Sequence, residues 1–488
     1  MINSGSKKSG SISSSYEYSD ITDGDSHKHN FQMAQKIYRG DYKIAVFGLG
    51  HVGSAMASVW LRTGAHVIGV DKSPTVLNNA RKGKTHLPEP GVNDAYSEGI
   101  RSGRFTIYDD LERASRESFL KMICVPVLSK EGSADLSTLK EVASGVGKGI
   151  KKGDVVAINP SVPPGTTENI ICKIVEQKSS GLHVEDDFFL LYNPERIYEG
   201  RAIEDIEMRY PAVIAGAGPK STQLGKELYS LIFKKGVMTM TNIRAAETEK
   251  LFEGVYRDVN IALSNELAKF CEKIGVDFWE VREAANSQPF CNLHKPGVGV
   301  GGACIPVYPQ FVLDTAKRLN VTCSITEQSR IINNAMPIRC VQEAVKLLEK
   351  WGKKPLTESI ITLLGLAFRG GVSDTRLSPA YDVLDEFSKW KVKEIRIHDP
   401  LVISDARLSN QYPQVFLTSD LNKAVQDTNL VFLVADHPEY SSLTQEIFDG
   451  VPIYDGRGIL HKTKSFDSRL RTIGVGIKPP NTPPQVVT

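Results

Sequence analysis

The chain has 488 residues, 41% hydrophobic and 24% charged, which is ordinary for a globular protein and too long for a single core, so two or three domains are expected. Its formal net charge of +2 leaves no electrostatic footprint for nucleic acid or a membrane surface, and no apolar run approaches the ~20 residues of a membrane span. The seven cysteines (124, 172, 271, 291, 304, 323 and 340) are odd in number and lack CxxC spacing, which argues against a disulfide scaffold and against a metal site, and implies a reducing, cytoplasmic setting.

In chain order, residues 1–40 are rich in Ser, Gly, Asp and Lys and offer too little apolar surface to offset ordering entropy, so a disordered tail is expected there. Residues 41–240 open with a short apolar run, 43–47, a glycine turn, and an alanine-containing helical stretch to Thr63. A second strand, 66–70, ends at Asp71, and apolar strand candidates follow at 121–125, 154–159 and 188–191. Strands alternating with helical stretches indicate a doubly wound parallel sheet.

From 241 to 352 the pattern turns helical: Leu251, Val255, Ala262, Leu263, Leu267 and Phe270 recur at helical spacing, and a second long helix runs from Ile325 to about Trp351, with a kink expected at Pro337. Long apolar helices between two α/β lobes need covering, so a homodimer is expected. Between the helices lies a glycine-dense loop, 296–306. The βα alternation restarts over 353–475, with strands at 359–364, 394–398 and 430–434, and a proline-rich tail closes the chain at 476–488. The expected fold is therefore α/β, with two Rossmann-like doubly wound domains joined by a central helical domain.

The turn after the first strand carries Gly48, Gly50, His51, Val52 and Gly53 in GxGxxG spacing, with an acid, Asp71, at the end of the next strand. Gly48 permits the tight turn, Gly50 lets backbone approach a pyrophosphate, and Gly53 lets helix and strand pack closely. The helix N-terminus then offers unpaired N–H groups and partial positive charge to the phosphates. Asp71 suits the two ribose hydroxyls of NAD and repels the extra phosphate of NADP, so NAD is the expected cofactor.

The glycine loop ends in Cys304, and four glycines from Gly297 to Gly302 suit a loop whose backbone meets a ligand. A cysteine is only a few per cent thiolate at neutral pH, so a nucleophilic role needs a nearby cation, helix N-terminus or base.

These motifs resemble those of the nucleotide-sugar dehydrogenases, the family of UDP-glucose and UDP-N-acetylmannosamine 6-dehydrogenases. The matching segments run from Lys43 to about Ile459: the NAD turn, CVP at 124–126, VPPGTTE at 162–168, NPERIYEG at 193–200, KLFEGVYRDVNIALSNE at 250–266, GGACIP at 301–306 and GLAFRGGVSDTRLSP at 365–379. The resemblance implies a four-electron oxidation of the sugar C6 alcohol to a carboxylate. In that scheme Cys304 attacks an aldehyde to give a thiohemiacetal, which is oxidised to a thioester and hydrolysed. By the same resemblance Lys250 supports the developing oxyanion and favours the thiolate. Asn193, Glu195, Arg196, Glu199, Asn260, Gly297, Gly299 and Gly301 hold the substrate. Pro126, Thr167, Glu168 and Arg376 border the cofactor, Arg376 from the last domain, where Asp374 and Arg376 equally suit a structural ion pair.

The chain departs from the family pattern at five places. Asn159 stands where a glutamate, a candidate base for hydrolysis, is usual; Gly254 replaces an asparagine, Tyr308 an aspartate and Phe290 an arginine, and Ala303 a histidine or serine. An asparagine cannot act as a general base. The Glu195–Arg196 pair resembles the acetamido-sugar branch, which implies UDP-N-acetylmannosamine ahead of UDP-N-acetylglucosamine or its galacto epimer, with UDP-glucose as the rival. The alternative of another class is a catalytically weakened nucleotide-sugar-binding protein.

Overall fold

A computed structural model gives the fold, and the structure describes residues 24–351, 354–442, 448, 450–460 and 472–477. The first lobe is built on strands β1 (Ile44–Phe47), β2 (Val67–Val70), β3 (Phe105–Tyr108), β4 (Leu120–Ile123), β7 (Val155–Ile158), β8 (Phe189–Tyr192), β9 (Ala212–Gly216) and β10 (Val237–Thr239). A short antiparallel hairpin, β5 (Leu128–Lys130) with β6 (Ser133–Asp135), interrupts the series. The eight strands lie in the order β10-β9-β8-β7-β4-β1-β2-β3. All neighbours run parallel except β8 and β9, which are antiparallel. The inner strands β1, β2, β4 and β7 are buried at every position, as expected of runs covered by helices on both faces.

The last lobe repeats the plan with β11 (Ile360–Leu364), β12 (Glu394–His398), β13 (Phe416–Thr418), β14 (Leu430–Leu433), β15 (Ile453–Asp455) and β16 (Thr472–Gly474). Their order is β13-β12-β11-β14-β15-β16, parallel throughout. In both sheets the strand order reverses next to the first strand of the lobe, so the crevice above β1 is a topological switch point where ligands gather.

Sequence and structure differ at the N-terminus. Residues 24–39, within the segment expected to be disordered, form helix α1 (Gly24–Arg39), whose Met33 and Ile37 are buried in the core of the first lobe. Few apolar residues suffice when they fall on one helical face against an existing core. The rest of that expected tail, 1–23, and residues 478–488 of the C-terminal one lie outside the described residues.

Helix α2 (His51–Arg62) follows the glycine turn, and α3 (Ile243–Ile274) begins behind Asn242, whose side chain accepts the Ala245 N–H. Gly275 ends α3 in the left-handed conformation. Helices α4 (Tyr308–Arg318) and α5 (Ser324–Trp351) pack on α3, and α6 (Pro379–Lys389) packs on α5. The apolar periodicity of α3 resolves into two faces: Leu251 and Ala262 are buried within the chain, while Leu263 and Phe270 are exposed, along with Phe252 and Tyr256.

Candidate active site

Each glycine of the first turn has its own geometry. Gly48 has φ +93°, a region costly for any side chain. A Cβ on Gly53 would run into the Gly48 carbonyl oxygen, so the helix sits on its turn only because position 53 lacks one. A Cβ on Gly50 would meet nothing within 4 Å. That open space faces the start of α2, which has no side-chain cap and no acidic residue in its first turn. The N-terminus therefore fits a pyrophosphate, which would supply the missing acceptors. Asp71 braces the turn from β2: its Oδ2 accepts the Leu49 N–H at 2.9 Å and its Oδ1 the Ser73 N–H at 2.9 Å.

Cys304 lies at the head of α4, its carbonyl accepting the N–H groups of Val307 and Tyr308 at 3.0 Å each. Cys304 is an exposed residue, yet the protein packed around its thiol raises the pKa, and Glu195 adds to the rise; Lys250, Tyr308 and Arg376 act in the opposite sense. Lys250 is buried on α3, with its Nζ 3.8 Å from Glu253 and 5.7 Å from the Tyr308 ring centroid. The Tyr308 hydroxyl accepts from Ser161 Oγ at 2.9 Å. A thiol, an ammonium, a carboxylate and a phenol from three separate segments are thus gathered here. A cation beside the thiol favours the nucleophilic thiolate.

The C-terminal lobe reaches this point through Arg376. Its guanidinium forms a forked pair with Asp374 and lies 3.3 Å from Glu199 of the first lobe. Glu199 is 3.6 Å from His51 Nδ1 at the start of α2, and burial, then Asp374, pushes its carboxyl up to about 7. Burial and Arg376 lower the His51 pKa. These groups border a cavity of about 230 Å³ between the lobes, whose wall includes Leu87, Glu89 and Thr375. His51, Glu199 and Asp374 are the one cluster of metal-ligating side chains among the described residues, and both of its carboxylates already pair with Arg376.

Other expected site residues divide into those near this point and those with internal partners. Asn193 is buried, bridged to Asn159 at 3.0 Å and to the Val213 carbonyl at 2.8 Å, so Asn159 is a framework amide here. Arg196 is committed to Glu253 at 2.8 Å. Glu168 pairs with Arg244 at 3.3 Å, and Pro126 is exposed beyond β4. Thr167 is fully buried, and its N–H and that of Gly165 are held by Glu247, whose carboxyl burial raises to about 7. Asn260 does not join the cluster: ten residues beyond Lys250, it is ~15 Å along α3, and its amide bonds the Tyr256 carbonyl of its own helix.

The loop glycines have a reason beyond ligand approach. A Cβ on Gly297 would meet Arg457 at 3.0 Å, one on Gly299 would meet Pro379 at 3.1 Å and Pro337 at 3.2 Å, and one on Gly301 would meet the Leu377 carbonyl at 2.6 Å. The loop is clasped under the C-terminal lobe. It is also anchored by residues that motif reading passes over: Asn265 accepts the Gly297 N–H at 2.9 Å and donates to Asn333 at 3.0 Å, and Asn333 donates in turn to Asp258 at 2.8 Å. Asp258 also pairs with Arg330 at 2.6 Å. The signal was present, since Leu251, Gly254, Asp258, Ala262 and Asn265 share one helical face, and polar groups on a buried stripe require partners.

Three family models match this chain. They are the NAD binding domain, the central domain and the UDP binding domain of the UDP-glucose/GDP-mannose dehydrogenase family, over residues 42–233, 244–335 and 362–462. The UDP-N-acetyl-D-mannosamine dehydrogenase of Pyrococcus horikoshii is 34% identical over 439 residues, 89% of this chain and 99% of that protein. A solved structure of the Pyrococcus horikoshii UDP-D-ManNAc dehydrogenase is 32% identical, with a TM-score of 0.80 over 89% of this chain and 99% of its own. That of a UDP-glucose dehydrogenase from Pyrobaculum islandicum is 27% identical, with a TM-score of 0.79 over 86% and 95%.

Proposed function

The chain belongs to the UDP-glucose/GDP-mannose dehydrogenase family and is an NAD-dependent UDP-sugar dehydrogenase; from that premise we propose that it oxidises the C6 alcohol of UDP-N-acetyl-D-mannosamine to the carboxylate through a thioester on Cys304. The observation that carries this mechanism is Cys304 at the head of α4, where Lys250 Nζ lies 5.7 Å from the ring centroid of Tyr308, whose N–H bonds the Cys304 carbonyl at 3.0 Å. Bound NAD supplies a hydride acceptor for each of the two oxidations.

The first turn holds the dinucleotide: the α2 N-terminus takes the pyrophosphate over Gly50, and Asp71 takes the adenosine ribose. Lys250 stabilises negative charge on the C6 oxygen in both oxidations, as the hydroxyl proton leaves to solvent. Cys304 then bonds to the aldehyde carbon, and the proton passes to the oxygen of the thiohemiacetal. Covalent capture keeps the aldehyde from escaping and divides a four-electron reaction into two-electron steps. Water cleaves the thioester, regenerating the thiol. Asn193, Glu195, Glu199 and the loop of Gly297, Gly299 and Gly301 are assigned to the sugar nucleotide in this reading, Asn193 through the framework it forms with Asn159. The proposed division of labour follows domains at 41–240, 241–352 and 353–475. The exposed Phe252, Tyr256, Leu263 and Phe270 of α3 favour a homodimer built on this helix. Seven free cysteines suit a cytoplasmic setting.

Incubating the purified protein with NAD and UDP-N-acetylmannosamine, UDP-N-acetylglucosamine or UDP-glucose, and counting NADH per sugar, tests this. Two NADH and a uronate from the mannosamine derivative are expected, with Cys304→Ala halted after the first oxidation. One NADH with free aldehyde from the unmodified protein, or no turnover of any sugar, would contradict it.

A further inference from the structure

Gly254 and Tyr308 are sterically linked. Gly254 is buried on α3 one turn past Lys250, and a Cβ there would lie 2.5 Å from Tyr308 Cδ2 and 2.9 Å from Tyr308 Cβ. The ring packs with Leu251, Val307 and Phe311, and only about 7% of the residue is exposed. It therefore has one place to be, with its hydroxyl 2.9 Å from Ser161 Oγ and the Tyr308 N–H bonded at 3.0 Å to the carbonyl of Cys304, one helical turn back, so that the two side chains share a face. With Ser161 donating to the phenol oxygen, the phenol hydrogen is free to turn to the sulfur.

We propose that Tyr308 is a catalytic residue whose phenol, polarised by Ser161, donates a hydrogen bond to the Cys304 sulfur and holds it as thiolate, in a space that glycine at 254 leaves open. The inference rests on Cys304 being the nucleophile of the proposed oxidation. No bond is made or broken by the tyrosine: the thiol proton leaves to solvent, and the phenol keeps its own.

The chemistry favours this donor. Glu195 already places negative charge against the thiol, so a carboxylate at 308 would oppose thiolate formation, whereas a neutral phenol supports it. Burial, Cys304 and Glu195 all push the phenol pKa well above its ordinary range, so it remains a donor wherever the enzyme works. Lys250 contributes charge from the other side of the ring, and Tyr308 adds direction. A chain of hydroxyls ending on an anion strengthens each link.

The test needs no sugar nucleotide. Alkylation of Cys304 by iodoacetamide is followed against pH in the full-length protein, with the modified peptide quantified by mass spectrometry. Tyr308→Phe keeps the ring and is expected to move the midpoint up by about one pKa unit, slowing alkylation about tenfold below it. Ser161→Ala is expected to move it in the same direction by less. A Tyr308→Phe profile that overlays the unmodified protein overturns the proposal. If that variant fails to fold, Ser161→Ala decides in its place by the same criterion. The outcome is separable from the function above: Cys304→Ala retaining full four-electron turnover would dismiss the cysteine from the oxidation and leave the alkylation profiles standing.

Discussion

The Tyr308 ring stands where a side chain on Gly254 would project, 2.5 Å from the position of its Cβ. Two departures from the family pattern are therefore one: the small residue on α3 makes room for the large one on α4. Replacing glycine by alanine inside a helix ordinarily gains ~1 kcal/mol. Here the methyl would drive a ring packed against Leu251 and Phe311, and overpacking costs about 1–3 kcal/mol. Gly254→Ala is expected to lower stability in urea titrations. The same change in a Tyr308→Ala background is expected to be neutral or stabilising, and additive effects in the two backgrounds would show that the residues do not share this space.

Asp71 gives a second prediction. Its two oxygens each hold a backbone N–H of the turns they face, so the carboxylate shapes the site as well as facing the ribose. Asp71→Asn keeps the size but turns one acceptor into a donor that opposes a backbone N–H. Charged hydrogen bonds are worth about 1.5–3 kcal/mol, so NAD affinity is expected to fall at least about tenfold, with a smaller fall for NADP. Titration of both nucleotides by calorimetry measures the ratio.

Much of this site was legible from residue order because the chemistry is local there. The turn of Gly48, Gly50 and Gly53 and the acid at Asp71 lie in one βαβ unit, where spacing along the chain nearly fixes spacing in the fold. Cys304 with Lys250 was legible only through resemblance, since they are 54 positions apart and meet through the packing of α4 on α3. The Asp258–Asn333–Asn265 anchor was passed over because its partners come from two helices whose pairing no local pattern specifies. Helix α1 was missed because composition averages over a segment, whereas Met33 and Ile37 act by falling on one face.

Glu199 gives a pH prediction. Its carboxyl is raised from an ordinary 4.5 to about 7, burial first and Asp374 second, against the pull of Arg376 and Arg369. A raised acid binds its proton more tightly in the folded chain. Its contribution to stability is therefore fully present below the unfolded value and is lost as pH climbs through about 7. Above that window Glu199 is ionised and can hold Arg376 by charge across the lobes. Glu199→Gln, which cannot titrate, is expected to flatten the part of the stability profile between pH 4.5 and 7, as read from urea midpoints. An unchanged slope would assign the pH dependence to Glu247 or Glu272, also raised to about 7.

Lys250 and Cys304 can be told apart by where each variant stalls. Lys250 is buried beside Glu253, and Arg196 serves both Glu253 at 2.8 Å and Glu249 at 3.9 Å, so removing the ammonium leaves one guanidinium for two carboxylates. Lys250→Ala is accordingly expected to cost some stability, read from urea midpoints before turnover is compared. Its charge is proposed to act on the C6 oxygen in both oxidations, and loss of one such stabilising group typically lowers turnover ~10²- to 10³-fold. The first NADH of a single turnover is thus expected to appear slowly in Lys250→Ala, with the sugar nucleotide still bound at nearly its normal affinity. In Cys304→Ala the first NADH is expected at a near-normal rate and the second not at all. Stopped-flow absorbance with excess enzyme separates the two patterns. A normal first phase in Lys250→Ala would remove the ammonium from C6 and confine it to the thiol.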